Sequence, residues 1–137
     1  MPECGLGRIR QHVENLGGER NPCTRPEHLK KTAQYLSNQF EIMGLEVTQE
    51  TVEYEGTQSL NILGQTPGDP GANGLFVLAA HYDSAPDTPG ADDNASAVTA
   101  LLEIAHDLRQ TPLLKPLIFC AFTLEEYGFI EIGRAHV

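Results

Sequence analysis

Leu29, Ala33, Leu36, Phe40 and Met43 recur every three or four residues, so TRPEHLKKTAQYLSNQFEIMG reads as an amphipathic helix. Thr24 and Glu27 stand at capping-box positions, Pro26 suits the first turn, and Gly44 is placed to end the helix. A shorter helix is predicted from Leu6, Ile9, Val13 and Leu16, halted by Gly17-Gly18. LEVTQETVEYE alternates loosely as a strand does, and SLNILG offers a second short strand. QTPGDPGANG (65–74) is a turn-rich loop. LFVLAA (75–80) and LIFCAF (117–122) are apolar without alternation, the pattern of strands covered on both faces. Between them Val98, Leu101, Leu102, Ala105 and Leu108 share a helical face, and Pro112 and Pro116 bracket the exit. Strand, helix and strand in this order predict a parallel, right-handed crossover. The expected fold class is α/β, an open, largely parallel sheet with flanking helices.

Composition narrows the function classes more than the fold. The chain is 137 residues long, about one domain, and 40% hydrophobic. Its 19 acidic and 9 basic residues give a net charge of −10, which opposes nucleic acid and anionic membrane surfaces as partners. No stretch has the length of a membrane span. The N-terminus lacks a basic segment followed by an apolar one, which favours the cytoplasm. Cys4, Cys23 and Cys120 match no zinc-finger spacing, and an odd count opposes a disulfide framework. Cys120, inside an apolar run, is expected to be a small buried hydrophobe.

The chemistry gathers where the two apolar strands end. Ligand sites in open α/β sheets lie beyond the carboxyl ends of the strands. The first strand delivers His81-Tyr82-Asp83 and the second Glu125-Glu126, while the intervening loop contributes Asp92 and Asp93. Imidazole and carboxylate together suit a divalent ion such as zinc. Asp83, two residues beyond His81, can orient a metal-binding imidazole. Adjacent glutamates diverge, so one is expected to bind metal while the other takes a proton from metal-activated water. Taken singly, each piece has an ordinary reading: a surface histidine, a helix cap at Asp92-Asp93-Asn94, and a solvated acidic pair. Their convergence on one rim carries the metal reading.

HYDS, PGADDNASA and LEEYG, in this order, resemble the zinc-dependent aminopeptidases with a two-zinc site. These are the leucyl- and vacuolar-type aminopeptidases, related to glutamate carboxypeptidase and glutaminyl cyclase. The likeness extends over most of residues 6–130, including GLEV and NILGQTPG. It implies an α/β/α exopeptidase fold and two zinc ions per complete domain. It makes His81 a ligand of one zinc, Asp93 the bridge, Glu126 a ligand of the second zinc, Glu125 the general base, and Asp83 the partner that orients His81. It also implies a cis peptide bond at Asp93–Asn94, leaving Asp92 a poor ligand. The implied activity is hydrolysis of the N-terminal peptide bond of peptide substrates.

The family pattern needs two further ligands, a carboxylate and a histidine, well downstream of Glu126; His136 comes too soon to serve. His12, His28 and His106 match no family motif and are expected on helix surfaces. Residues 1–130 are therefore expected to be the N-terminal part of one zinc peptidase domain. EIGRAHV (131–137) resembles the translation of a sequencing-adapter oligonucleotide and is expected not to be encoded by the gene. The chain by itself is expected to lack peptidase activity, with strand 117–122 exposing backbone and apolar surface. Two alternatives remain beside the peptidase: a glutaminyl-peptide cyclotransferase of the same fold, and a non-catalytic binding module. The specificity pocket and oligomeric state are not legible in these residues.

Overall fold

The computed structural model describes residues 5–69 and 72–128. Cys4 and the 131–137 segment lie outside the described residues. Helix α1 (Leu6–Leu16) ends at Gly17, as its pattern predicts. Helix α2 (Pro26–Ile42) starts with Pro26 in its first turn. The capping box is not formed. Thr24 Oγ1 donates to the Glu19 carboxylate instead, and Asn21 Oδ1 accepts the backbone N–H groups of Cys23 and Thr24 at 2.9 and 3.1 Å. At the other end Gly44 adopts φ +78°, its N–H reaches Glu41 O, and Leu45 N–H reaches Phe40 O. This is a Schellman stop, with the glycine where the left-handed conformation is needed.

Strands β1 (Glu46–Tyr54) and β2 (Thr57–Gln65) form an antiparallel hairpin. Its two turn residues, Glu55 and Gly56, both have positive φ, a twist that suits a two-residue hairpin. Strand β3 (Phe76–His81) leads through an irregular turn, Ala91–Ser96, into α3 (Ala97–Leu108) and then β4 (Leu117–Phe122). The sheet order is β1-β2-β4-β3. The α/β class and the parallel β3–β4 crossover are as expected. The two other pairings, β1–β2 and β2–β4, are antiparallel, so the sheet is mixed rather than largely parallel over the described residues. A two-residue turn can join strands only in that sense.

The three helices share one core with the sheet. Leu16, Leu36, Phe40, Val98 and Leu102 pack with Ile62, Phe119 and Ala121. The opposite face carries a smaller cluster of Ile118, Cys120 and Phe122. Strand β4 is thus buried throughout, and Cys120 behaves as the expected small hydrophobe; burial pushes its thiol up to about 11. The edge strands of the sheet are β1 and β3, and β4 lies inside it. Phe76, Val77 and Leu78 are 63%, 44% and 37% exposed, because no strand pairs with the far side of β3 among the described residues. No helix among the described residues is long and apolar enough to cross a membrane.

Candidate metal centre

Register places the chemistry. In the parallel β3–β4 ladder His81 pairs with Phe122, so the residues that follow each strand emerge side by side. Tyr82 N–H donates to Phe122 O at 2.7 Å and extends the ladder one step. The Tyr82 side chain turns into the core and donates to Leu60 O at 2.6 Å; burial pushes its pKa up. His81 and Asp83 flank it at the rim. Beyond β4, Leu124 takes a left-handed conformation (φ +62°) and a single 3₁₀ turn, Glu125–Tyr127, follows. The third segment reaches the rim through Gly90, also left-handed at φ +55°, and the Asp93–Asn94 peptide bond is cis.

His81 Nε2 lies 3.1 Å from Asp93 Oδ1 and 3.7 Å from Glu125 Oε2. Its other nitrogen, Nδ1, is buried and faces Asp83 Oδ1 at 3.4 Å, with no closer polar partner. Asp83 is fully buried and accepts the backbone N–H groups of Glu125 and Glu126, each at 3.3 Å. One atom each from His81, Asp93 and Glu126 lie within 4.8 Å of one another. Asp92 is exposed and stands apart from this trio. Glu125 is beside the trio and outside it.

Crowding of like charge is visible in the protonation equilibria. Burial pushes the Glu126 carboxyl up, and the charges of Asp93, Asp83 and Glu125 push in the same direction. Burial alone would lower the His81 pKa. Asp83, Glu125 and Asp93 outweigh it and hold the imidazole at about 8. Four carboxylates around one imidazole form a negatively charged cluster of nitrogen and oxygen donors. That donor set fits a divalent ion of the zinc type, and His81 Nδ1 facing a buried carboxylate is the arrangement a metal-ligating histidine needs.

Chain comparison decides the family. The model of peptidase family M28 matches residues 61–131, just over half of the chain. The chain belongs to peptidase family M28. It is 36% identical to aminopeptidase YwaD of Bacillus subtilis over 92 residues, which are 66% of this chain and 20% of that protein. Among solved structures it is similar to a Zn-dependent exopeptidase from Parabacteroides distasonis, with a TM-score of 0.70 and 31% identity, covering 89% of this chain and 46% of the other. It is similar to the glutaminyl cyclase of Porphyromonas gingivalis to the same degree, with a TM-score of 0.71 and 32% identity, covering 89% and 45%. The M28 chain described here therefore spans under half the length of these relatives.

The structure brings together all five residues picked from the sequence: His81, Asp83, Asp93, Glu125 and Glu126. One expectation about the histidines needs correction. His12 is buried, only 5% exposed, because Tyr35 and Glu103 offer it partners from neighbouring helices. His28 is half-buried and bonded to Glu19 O through Nδ1. The pattern also gave no sign of Arg20 and Asn21, both fully buried behind the site. Their only signal was a charged and a polar residue held between Gly17-Gly18 and Pro22 in a short linker.

Proposed function

We propose that the protein is a zinc metallopeptidase acting on the N-terminal residue of peptides, with His81, Asp93 and Glu126 holding metal and Glu125 serving as general base. One observation carries this reading: three ligand atoms converge within 4.8 Å while the Glu125 carboxylate stands 3.7 Å from His81 Nε2 without joining them. A bound divalent ion supplies Lewis acidity, polarising a carbonyl and acidifying a water. Asp83 accepts the N–H groups of Glu125 and Glu126 and so aims both side chains from one buried anchor. Facing His81 Nδ1, it also sets the ring so that Nε2 is free to bind. Glu125, half-buried, takes a proton from the attacking water and returns it to the leaving amine. Asp93, with a side chain 74% exposed, has oxygens enough to serve two ions, in keeping with a two-zinc site. Peptides are the proposed substrates, since a net charge of −10 opposes polyanions.

A second reading is glutaminyl-peptide cyclisation, supported by the likeness to the P. gingivalis cyclase. The test is made on the complete gene product. Zinc content near two per chain and turnover of an aminoacyl chromogenic substrate are expected. Glu125→Gln should keep its metal and lose about 10²–10⁴-fold in rate. Conversion of glutaminyl peptides without hydrolysis would move the assignment to the cyclase. Full activity in Glu125→Gln would reject the mechanism. The 137 residues alone are proposed to be inactive, and turnover by them would refute that.

A further inference from the structure

The linker between α1 and α2 touches none of the metal-site side chains by hydrogen bond, yet it is bonded beside each of them. Arg20 is fully buried and its guanidinium meets five backbone carbonyls. Nε donates to Tyr82 O at 2.8 Å, Nη2 to Gly90 O at 2.8 Å, and Nη1 to Pro89 O at 3.2 Å, Gly18 O at 2.6 Å and Leu16 O. Tyr82 sits between His81 and Asp83, and Gly90 precedes Asp93 by three residues. Arg20 and Ser84 are bonded twice more, Arg20 N–H to Ser84 Oγ at 2.9 Å and Ser84 N–H to Arg20 O at 3.3 Å. Asn21, also fully buried, donates from Nδ2 to Ser84 O at 3.0 Å and accepts the Tyr127 hydroxyl on Oδ1 at 3.1 Å. Tyr127 follows Glu126 directly. Two consecutive residues therefore reach the segment after β3, the segment before Asp93 and the turn after β4.

We propose that Arg20 and Asn21 form a strap that fixes these three segments relative to one another, as positioning residues of the proposed metal centre. This rests on the metal-centre reading given above. Removing the buried guanidinium would leave five backbone carbonyls without their donor, so Arg20 contributes to stability as well. Its planar fork has another use. Five donors in fixed geometry set the angles between several chain segments at once, which a lysine ammonium does not do. The segments after β3 and β4 are already joined by Tyr82 N–H to Phe122 O and by Asp83 on the Glu125 and Glu126 amides. The strap adds a second cross-link between them and ties in the segment before Asp93, which those bonds do not reach.

The test uses the complete gene product, with cobalt(II) as the probe and hydrogen exchange of the metal-free protein as a second measurement. Arg20→Lys is expected to lose about 10–100-fold in cobalt affinity and to change the visible absorption of the bound ion. Its exchange should quicken in 82–90 and 125–128 and stay unchanged in the β1–β2 hairpin. Tyr127→Phe removes a single hydroxyl from a half-buried side chain, so its fold is not at risk. It should quicken exchange only around 124–128 and cost less affinity than Arg20→Lys. Unchanged affinity and exchange in Arg20→Lys would overturn the strap. So would faster exchange by one factor throughout the molecule, the mark of a purely structural role. A wild-type protein that binds no cobalt would sink the metal reading, and the exchange pattern alone would then decide the strap.

Discussion

Asp83 Oδ1 accepts the backbone N–H of Glu125 at 3.3 Å, joining residues 42 positions apart, while Oδ2 accepts that of Glu126. A fully buried carboxylate thus holds the turn that carries both glutamates and faces the His81 ring. Asp83→Asn replaces one acceptor with an amide donor that opposes an N–H. Stability is expected to fall by about 1–3 kcal/mol, the cost of a buried unsatisfied group. Zinc affinity should fall about 10–100-fold. Urea unfolding and competition with a chelating dye check the two separately, and an unchanged affinity would remove Asp83 from the site's support.

Asp92 and Asp93 are neighbours with opposite expected behaviour. Asp93 contributes an oxygen to the trio with His81 and Glu126, and Asp92 does not. Asp93→Ala should abolish stoichiometric zinc binding at micromolar protein, whereas Asp92→Ala should leave it intact. Both should resemble wild type after exhaustive chelation. Equal losses in the two variants would contradict the ligand assignment.

These two acids show how far the pattern could be read. Residue spacing marks Asp92-Asp93 as a candidate pair, and the family likeness selects Asp93; the structure places it in the trio. Helix α2 was legible because Leu29, Ala33, Leu36 and Phe40 are buried through their own periodicity. The failures share a cause. Thr24 looked like a cap, but its hydroxyl donates to Glu19, and Asn21 takes the Thr24 N–H that Glu27 would accept in a capping box. His12 and Arg20 looked ordinary because what buries them comes from segments distant in sequence. An apolar run reports that burial is favourable, not that a neighbour is present, so LFVLAA read as covered while Phe76 is exposed.

That exposure has a measurable outcome. Val77, 44% exposed on an edge strand, is part of a surface where another chain can add. The 137-residue chain should self-associate as concentration rises. Val77→Lys should reduce this association while changing stability by less than about 0.5 kcal/mol. Sedimentation velocity across a concentration series tests it; equal association in both proteins would place the contact elsewhere.

His12 makes stability depend on pH. Its Nδ1 and the Tyr35 hydroxyl are 2.6 Å apart, and Nε2 lies 3.4 Å from Glu103 Oε1. Burial lowers its pKa; Glu103 opposes this, and the charges of Arg8 and His106 assist it. Below the ordinary value of 6.5 the unfolded chain takes up a proton that the folded one resists. The His12 contribution is therefore full above pH 6.5 and declines as pH falls through the folded value. His81 and Glu126, whose pKa values are raised, act in the opposite direction in wild type and variant alike. Between pH 7.5 and 5.5 the denaturant midpoint of wild type should therefore fall relative to that of His12→Gln. An identical slope in the variant would assign the effect to other groups.

Gly90 and Gly56 separate two costs that a glycine can carry. Both have positive φ, +55° and +79°, so alanine at either is strained by about 1–2 kcal/mol. A Cβ on Gly56 meets nothing within 4 Å. On Gly90 it would stand 2.6 Å from Arg20 Nη2, 2.7 Å from Ser84 Cβ and 2.9 Å from Asp93 O. Two of these atoms belong to groups already fixed by the bonds between Arg20 and Ser84, and the third is the main chain of a proposed ligand. There is no flexible tip to give way. Gly90→Ala should therefore lower the urea midpoint more than Gly56→Ala, and it alone should weaken zinc binding. Equal midpoints would mean that the space behind Asp93 is not filled as the Arg20 contacts require.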